Sequence, residues 1–307
     1  LFLLLVPFIA GAETVDIQYK RGDLKKMISV VKTEKPPVID GVLEEGEWDK
    51  ATVITGLIKT KENIQQWGVS TGVDNIAGDQ SFFYITYDDE NLYIAHHSPP
   101  PARLGGVPAV VAVMLKKTQT IHDANINLDD SIHIEIIDPV YPGGDKYVIQ
   151  INSTGTAFEC IWYNNYVWEE DILAEKSGRF PGITLSWDPP VRSASNLTLD
   201  GWVIETEIHW SGLVPYIKKP EDGRLMYMNF GRIWNEVMDE GHIWAADDEM
   251  SPAGEVVFTG KEGIIVQIKD TGDIPKGVVS FTADIINAFA SEKKLLVDVQ
   301  TEPGGIL

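Results

Sequence analysis

The amino-acid sequence predicts an all-β protein: a two-sheet antiparallel β-sandwich with a short C-terminal β segment. Three observations carry this expectation. Short runs with period-two alternation recur along the 307 residues, clusters of Pro, Gly, Asn and Asp separate them, and no long stretch keeps the 3.6-residue period of an amphipathic helix. The clearest alternation is Ser131-Ile132-His133-Ile134-Glu135-Ile136-Ile137, which is followed, beyond Tyr141-Pro142-Gly143-Gly144, by Tyr147-Val148-Ile149-Gln150-Ile151-Asn152. The Pro/Gly connector makes the pair a hairpin. Ile132, Ile134 and Ile136 then face a core with Tyr147, Ile149 and Ile151, while Ser131, His133, Glu135, Gln150 and Asn152 share the opposite face. Five hydrogen-bonding side chains on one face form either a solvated surface or the floor of a binding site.

Taken in order, residues 1–12 are an apolar run closing in Ala10-Gly11-Ala12 before Glu13, which reads as the remnant of a secretory signal and is too short to span a bilayer. Residues 13–28 are polar and aperiodic and read as a linker. A sandwich domain is expected over 29–269, with strands near 28–32, 53–59, 82–87, 91–97, 109–116, 131–137, 146–152, 157–163, 183–187, 202–209, 225–234, 242–246 and 263–268. A turn of helix is expected between Leu43 and Ala51, where Glu44, Glu45 and Glu47 crowd an N-terminus. Residues 270–307 open on the linker-like Thr271–Gly277 and carry two more strand-like runs, 278–287 and 295–300. Two strands are not stable alone, so they either complete the sandwich or begin a second domain truncated at Leu307; the linker favours the second.

Composition narrows the function. A net charge of -21, from 46 acidic against 25 basic residues, repels nucleic acid and anionic lipid surfaces and leaves cations and neutral ligands as partners. The single Cys160 excludes a disulfide framework and a thiolate zinc site, and it reads as a small core residue. No G-x-G-x-x-G or P-loop pattern supports nucleotide binding. The expected setting is secreted or cell-surface, with no integral membrane span.

Candidate chemistry rests mostly on carboxylates. Glu135, Glu205 and Glu207 lie in strands and invite a glycosidase pair, but an ion pair of Glu205 or Glu135 with Arg232 is the simpler expectation. The six histidines show no metal-ligand spacing. Asp123, Asn125, Asn127, Asp129 and Asp130 place oxygen donors mostly at alternate residues, so a structural calcium on Asp123, Asn125, Asp129 and Asp130 is the candidate metal site. The run lacks the Gly and terminal Glu of an EF-hand loop. Nine Trp and ten Tyr suit a sugar-binding surface, because an aromatic face covers the C–H face of a sugar ring while polar neighbours bond its hydroxyls. Trp162 and Trp168 bracket the polar, aromatic segment 162–168, and Trp234 and Trp244 flank Asp239-Glu240-Gly241; Trp48, Trp202 and Trp210 sit in apolar patterns and belong to the core.

In this order along the chain, Pro37-Val38-Ile39-Asp40-Gly41, Glu47-Trp48 with Ala51, Tyr87-Asp88-Asp89-Glu90-Asn91-Leu92-Tyr93-Ile94-Ala95, Asp129-Asp130-Ser131, Asn152 with Gly155, Gly201-Trp202-Val203-Ile204-Glu205, Asn229-Phe230-Gly231-Arg232 and Trp244 resemble the family 9 carbohydrate-binding modules over about residues 34–268. The resemblance implies a β-sandwich, non-catalytic binding of polysaccharide or oligosaccharide, often structural calcium, and attachment to other domains of a larger extracellular protein. The family clamps its sugar between two Trp. Here those places hold Asn127 and the Trp-free stretch 249–258, while the family's Glu and Arg fall on His133 and Gln150. Sugar binding by this chain therefore calls on other side chains: Trp162, Trp168, Trp234, Trp244, His133, Gln150, Asn152 and Arg232. The alternatives are an assembly module without sugar affinity, or a haem-binding sandwich using Met226, Met228 or Met250 with a nearby His or Lys.

Overall fold

A computed structural model describes residues 2–4, 26–59, 77–100, 117–124, 126, 129–137, 145–162, 183–198, 201–214, 217–234, 240–245, 254–271, 282–293 and 298–300. The expected strand 109–116 lies outside them, and no helix among them is long and apolar enough to cross a membrane. The strands are β1 (Phe2–Leu4), β2 (Met27–Val30), β3 (Thr52–Ile54), β4 (Ile58–Lys59), β5 (Phe82–Tyr87), β6 (Asn91–Ser98), β7 (Ser131–Ile137), β8 (Lys146–Asn152) and β9 (Ala157–Trp162). They continue as β10 (Ile183–Thr184), β11 (Val191–Thr198), β12 (Gly201–His209), β13 (Arg224–Trp234), β14 (Glu240–Ile243), β15 (Gly254–Phe258), β16 (Ile264–Asp270), β17 (Thr282–Asn287) and β18 (Asp298–Gln300). One helical turn, Trp210–Leu213, follows β12, whereas residues 43–51 form turns and not the expected helix.

Two sheets make the sandwich. The first runs β10-β9-β8-β7-β13-β14-β4, with β15 on β13 and β2 on β15; the second runs β11-β12-β6-β5-β3-β16-β17. Both are mainly antiparallel, as the alternation predicts, but β2–β15 and β3–β16 pair in parallel. The sheets are therefore mixed. The pairing also places β17 along β16, at the edge of the second sheet. Residues 2–4 pair with 298–300, and β2 begins inside the segment expected to be a linker.

The inner faces meet in one apolar cluster. Ile132, Ile134, Ile136, Tyr147, Ile149 and Ile151 of the hairpin pack with Phe83, Ile85, Leu92 and Ile94 of the second sheet and with Trp202, Trp210, Met226, Met228 and Phe230. Phe83 and Phe230 bridge the layers at 5.5 Å between ring centroids. A second cluster covers the outer face of the second sheet, where Ile39, Trp48 and Ala51 lie on Tyr93 and Ala95. Glu205 fixes that cover: its carboxylate accepts from Asp40 N at 3.0 Å, Gly41 N at 2.8 Å and Trp48 Nε1 at 2.9 Å. Gly41 has φ +87° with its Cα against Ser195 and Asn196, so a side chain there would be both strained and obstructed.

Candidate functional site

The hairpin register settles the polar face. His133 lies opposite Gln150, Glu135 opposite Val148 and Ser131 opposite Asn152, while β13 adds Gly231 beside His133 and Asn229 beside Glu135. β9 extends the same face with Phe158 beside Gln150, Cys160 beside Val148 and Trp162 beside Lys146. The face is not a solvated surface: Ser131, His133, Glu135, Gln150 and Asn152 are all buried. Only its margin is open, where Phe158, Lys146 and Trp162 are half-buried.

Buried polar groups need partners, and here they form a chain. Gln150 Nε2 donates to His133 Nδ1 at 3.1 Å, and His133 Nε2 stands 3.1 Å from Glu135 Oε1, which assigns the proton to Nε2. Lys146 Nζ lies 3.8 Å from Glu135 Oε2. Burial pushes the Glu135 carboxyl up, but the His133 hydrogen bond, the charge of Lys146 and an Asn229 hydrogen bond outweigh it, so its pKa ends below the ordinary value. Ser131 Oγ, Glu135 Oε2 and Gln150 Oε1 remain buried without a hydrogen bond. Ser131 Oγ and Gln150 Oε1 keep hydrogen-bonding capacity that the protein itself does not use, while Glu135 Oε2 faces the Lys146 ammonium.

The other expected ligand residues fall elsewhere. Asn152 belongs to a turn: its Oδ1 accepts from Thr154 N, Thr156 N and Thr154 Oγ1, and its Nδ2 donates to Gln119 O and Asp129 Oδ2, so no capacity is left for a ligand. Arg232 lies opposite Ile132 and therefore points inward. There it donates to Ser81 Oγ at 2.5 Å, Ser98 Oγ at 2.6 Å and Asp79 O at 2.8 Å, lies 2.6 Å from His242 Nδ1, and stacks on Trp234 at 4.7 Å. Trp234 and Trp244 are buried in the core cluster, the latter against Gly254, so neither offers a platform. Trp168 and Met250 lie outside the described residues, and Met226 and Met228 are core side chains.

Neither Glu205 nor Glu135 pairs with Arg232. Glu135 faces outward from the first sheet and Glu205 outward from the second, so these two carboxylates do not face one another; exposed Arg192 holds Glu207 at 2.9 Å. Of the expected calcium ligands, Asp123, Asp129 and Asp130 lie among the described residues. Both Asp129 oxygens accept hydrogen bonds, from Thr118 N, Thr118 Oγ1, Gln119 N and Asn152 Nδ2; Asp130 is buried, Asn125 lies outside the described residues, and Asp123 stands beside His122. Cys160 is buried as expected, though on the outer face, and burial pushes its thiol up to about 12. Sequence reasoning left Lys146 out of the site; counting from the Ile136–Tyr147 pair puts it diagonally across from Glu135, so the register carried the signal.

Fold and face together define a two-sheet β-sandwich with a buried polar row that opens at an aromatic and cationic margin. Its structural neighbours are carbohydrate-binding proteins. A family 9 carbohydrate-binding module of Caldicellulosiruptor kristjanssonii in complex with glucose has TM-score 0.45 and 17% identity, covering 76% of this chain and 96% of that chain. A family 9 module of the same organism in complex with cellotriose has TM-score 0.44 and 17% identity, covering 76% and 94%. A Bacteroides uniformis protein proposed to bind carbohydrate has TM-score 0.46 and 11% identity, covering 76% and 100%. No protein-family model and no curated protein matches the chain. The architecture stands on the strand pairing and the shared core, not on these likenesses.

Proposed function

We propose that the chain is a non-catalytic carbohydrate-binding sandwich, exported as one module of a larger protein, that takes a polysaccharide or oligosaccharide at the margin of its polar face. The observation that carries this reading is the Gln150–His133–Glu135 chain ending at Lys146, beside half-buried Trp162, with three buried oxygens left without a hydrogen bond. Sugar hydroxyls both donate and accept, so they complement such atoms, and the Trp162 ring supplies an apolar face. The motifs shared with family 9 modules support the reading independently of the site. They include Pro37–Gly41, held under Glu205.

Isothermal titration of the full chain against a panel of soluble glycans tests it. A glycan that binds should lose about 1–3 kcal/mol with Trp162→Ala, the range of a central aromatic anchor, at unchanged fold. Absence of binding across the panel, or normal binding by Trp162→Ala and Gln150→Ala together, would reject the site. A second reading, an assembly module, is favoured by β17: it is the edge of the second sheet, and Thr282, Asp284, Ile285 and Asn287 are exposed. A chain that binds no glycan but associates with a neighbouring domain of its own protein would favour that role.

A further inference from the structure

β9 puts Glu159 on the inner face of the first sheet, in register with Ile149 and between Ala157 and Ile161. The side chain is fully buried and neither oxygen has a hydrogen bond, an arrangement that costs several kcal/mol unless a charge answers it. Three side chains from two other segments close on it. His122 Nε2 lies 3.2 Å from Asp188 Oδ1, 3.6 Å from Glu159 Oε2 and 3.8 Å from Asp123 Oδ1. One ligand atom from each of His122, Glu159 and Asp188 falls within 4.8 Å of the other two.

Hydrogen bonding alone does not satisfy this cluster. A single imidazole N–H can serve one carboxylate well, and here three converge on it. A four-coordinate ion with bonds of about 2.0–2.1 Å spaces its ligand atoms by ~3.3 Å, close to the separations found around His122 Nε2. The donor set also selects the ion. Calcium and magnesium take oxygen ligands, whereas an imidazole nitrogen with carboxylates suits zinc and its transition-metal neighbours.

We propose that His122, Glu159 and Asp188 form a site for a divalent transition-metal cation of the zinc type. Such an ion would join the 117–124 loop, β9 and the segment before β11, and answer the buried carboxylate with positive charge. The site differs from the acidic run 123–130 in using a histidine and two residues distant in sequence, and it does not depend on sugar binding.

The test uses the full chain, stripped with a chelator, dialysed against zinc chloride and analysed for bound metal and for thermal unfolding. One zinc per chain is expected, with a rise in the unfolding temperature that grows with free zinc and that calcium or magnesium at the same concentration does not reproduce. His122→Gln and Asp188→Asn alter exposed side chains and leave Glu159 in place, so the fold survives; each should weaken zinc retention at least tenfold. A chain that retains no zinc overturns the proposal. So does retention unaffected by both variants, or an equal response to calcium.

Discussion

Replacing Arg232 with lysine keeps the charge but removes the fork. The guanidinium divides its work: Nη1 donates to Ser81 and Ser98, and Nη2 serves Asp79 O and His242, thereby connecting β13 of one sheet to residues flanking β5 and β6 of the other. One ammonium nitrogen can occupy only one of these two positions. Two acceptors then lose a charged donor, at about 1–3 kcal/mol each, and the stacking on Trp234 adds about 0.5–2 kcal/mol. Ser81 Oγ already stands 3.2 Å from Ser98 Oγ and can recover part of the loss. The expected destabilisation is therefore about 3 kcal/mol, read in urea as a lower midpoint at unchanged slope. Glycan affinity, corrected for the folded fraction, should not change, because the side chain points inward. A loss below about 0.5 kcal/mol would refute the account of Arg232 as the polar link between the sheets, and a selective loss of affinity would return it to the binding site.

Two further outcomes follow from the packing and from the charge on the outer face. At Gly254 an added Cβ would stand 2.2 Å from Trp244 Cζ3, so Gly254→Ala should cost about 1–3 kcal/mol through overpacking and alter the near-ultraviolet dichroism of the indole. Because the folded pKa of Glu135 lies below the ordinary 4.5, its stabilisation is complete above that value and is lost as pH falls through the folded pKa; Glu135→Gln should flatten this part of the acid limb in pH-dependent denaturation, and an unchanged limb would contradict the assignment.

Alternation made much of this legible. The hairpin register could be read from its two faces, and Trp48, Trp202 and Trp210 are buried as their apolar surroundings required. β11 is not among the expected strands, since Ser193, Ser195, Asn196 and Thr198 break the apolar alternation; it persists because Ser193 Oγ donates to Gly155 O and Ser195 Oγ to Ser153 O, contacts no local pattern encodes. Arg232 shows a signal that was present but outweighed. Parity along β13 groups it with Met228, Phe230 and Trp234, all inward, yet its charge suggested a carboxylate partner or a sugar on the polar face. The His122, Glu159 and Asp188 cluster left no trace in the sequence, because spacing carries information only when one element supplies several ligands.

The parallel pairing of β2 with β15 ties Met27–Val30 to Glu255–Phe258, and Lys26 O accepts from Glu255 N at 2.7 Å. During synthesis, β2 leaves the ribosome long before β15, its sheet neighbour among the described residues, has been made. The first sheet can thus be completed only when more than two hundred further residues have emerged, a contact separation that slows the final step and leaves an unsatisfied strand edge exposed meanwhile. A chain with this wiring depends on whatever shields that edge until its partner arrives.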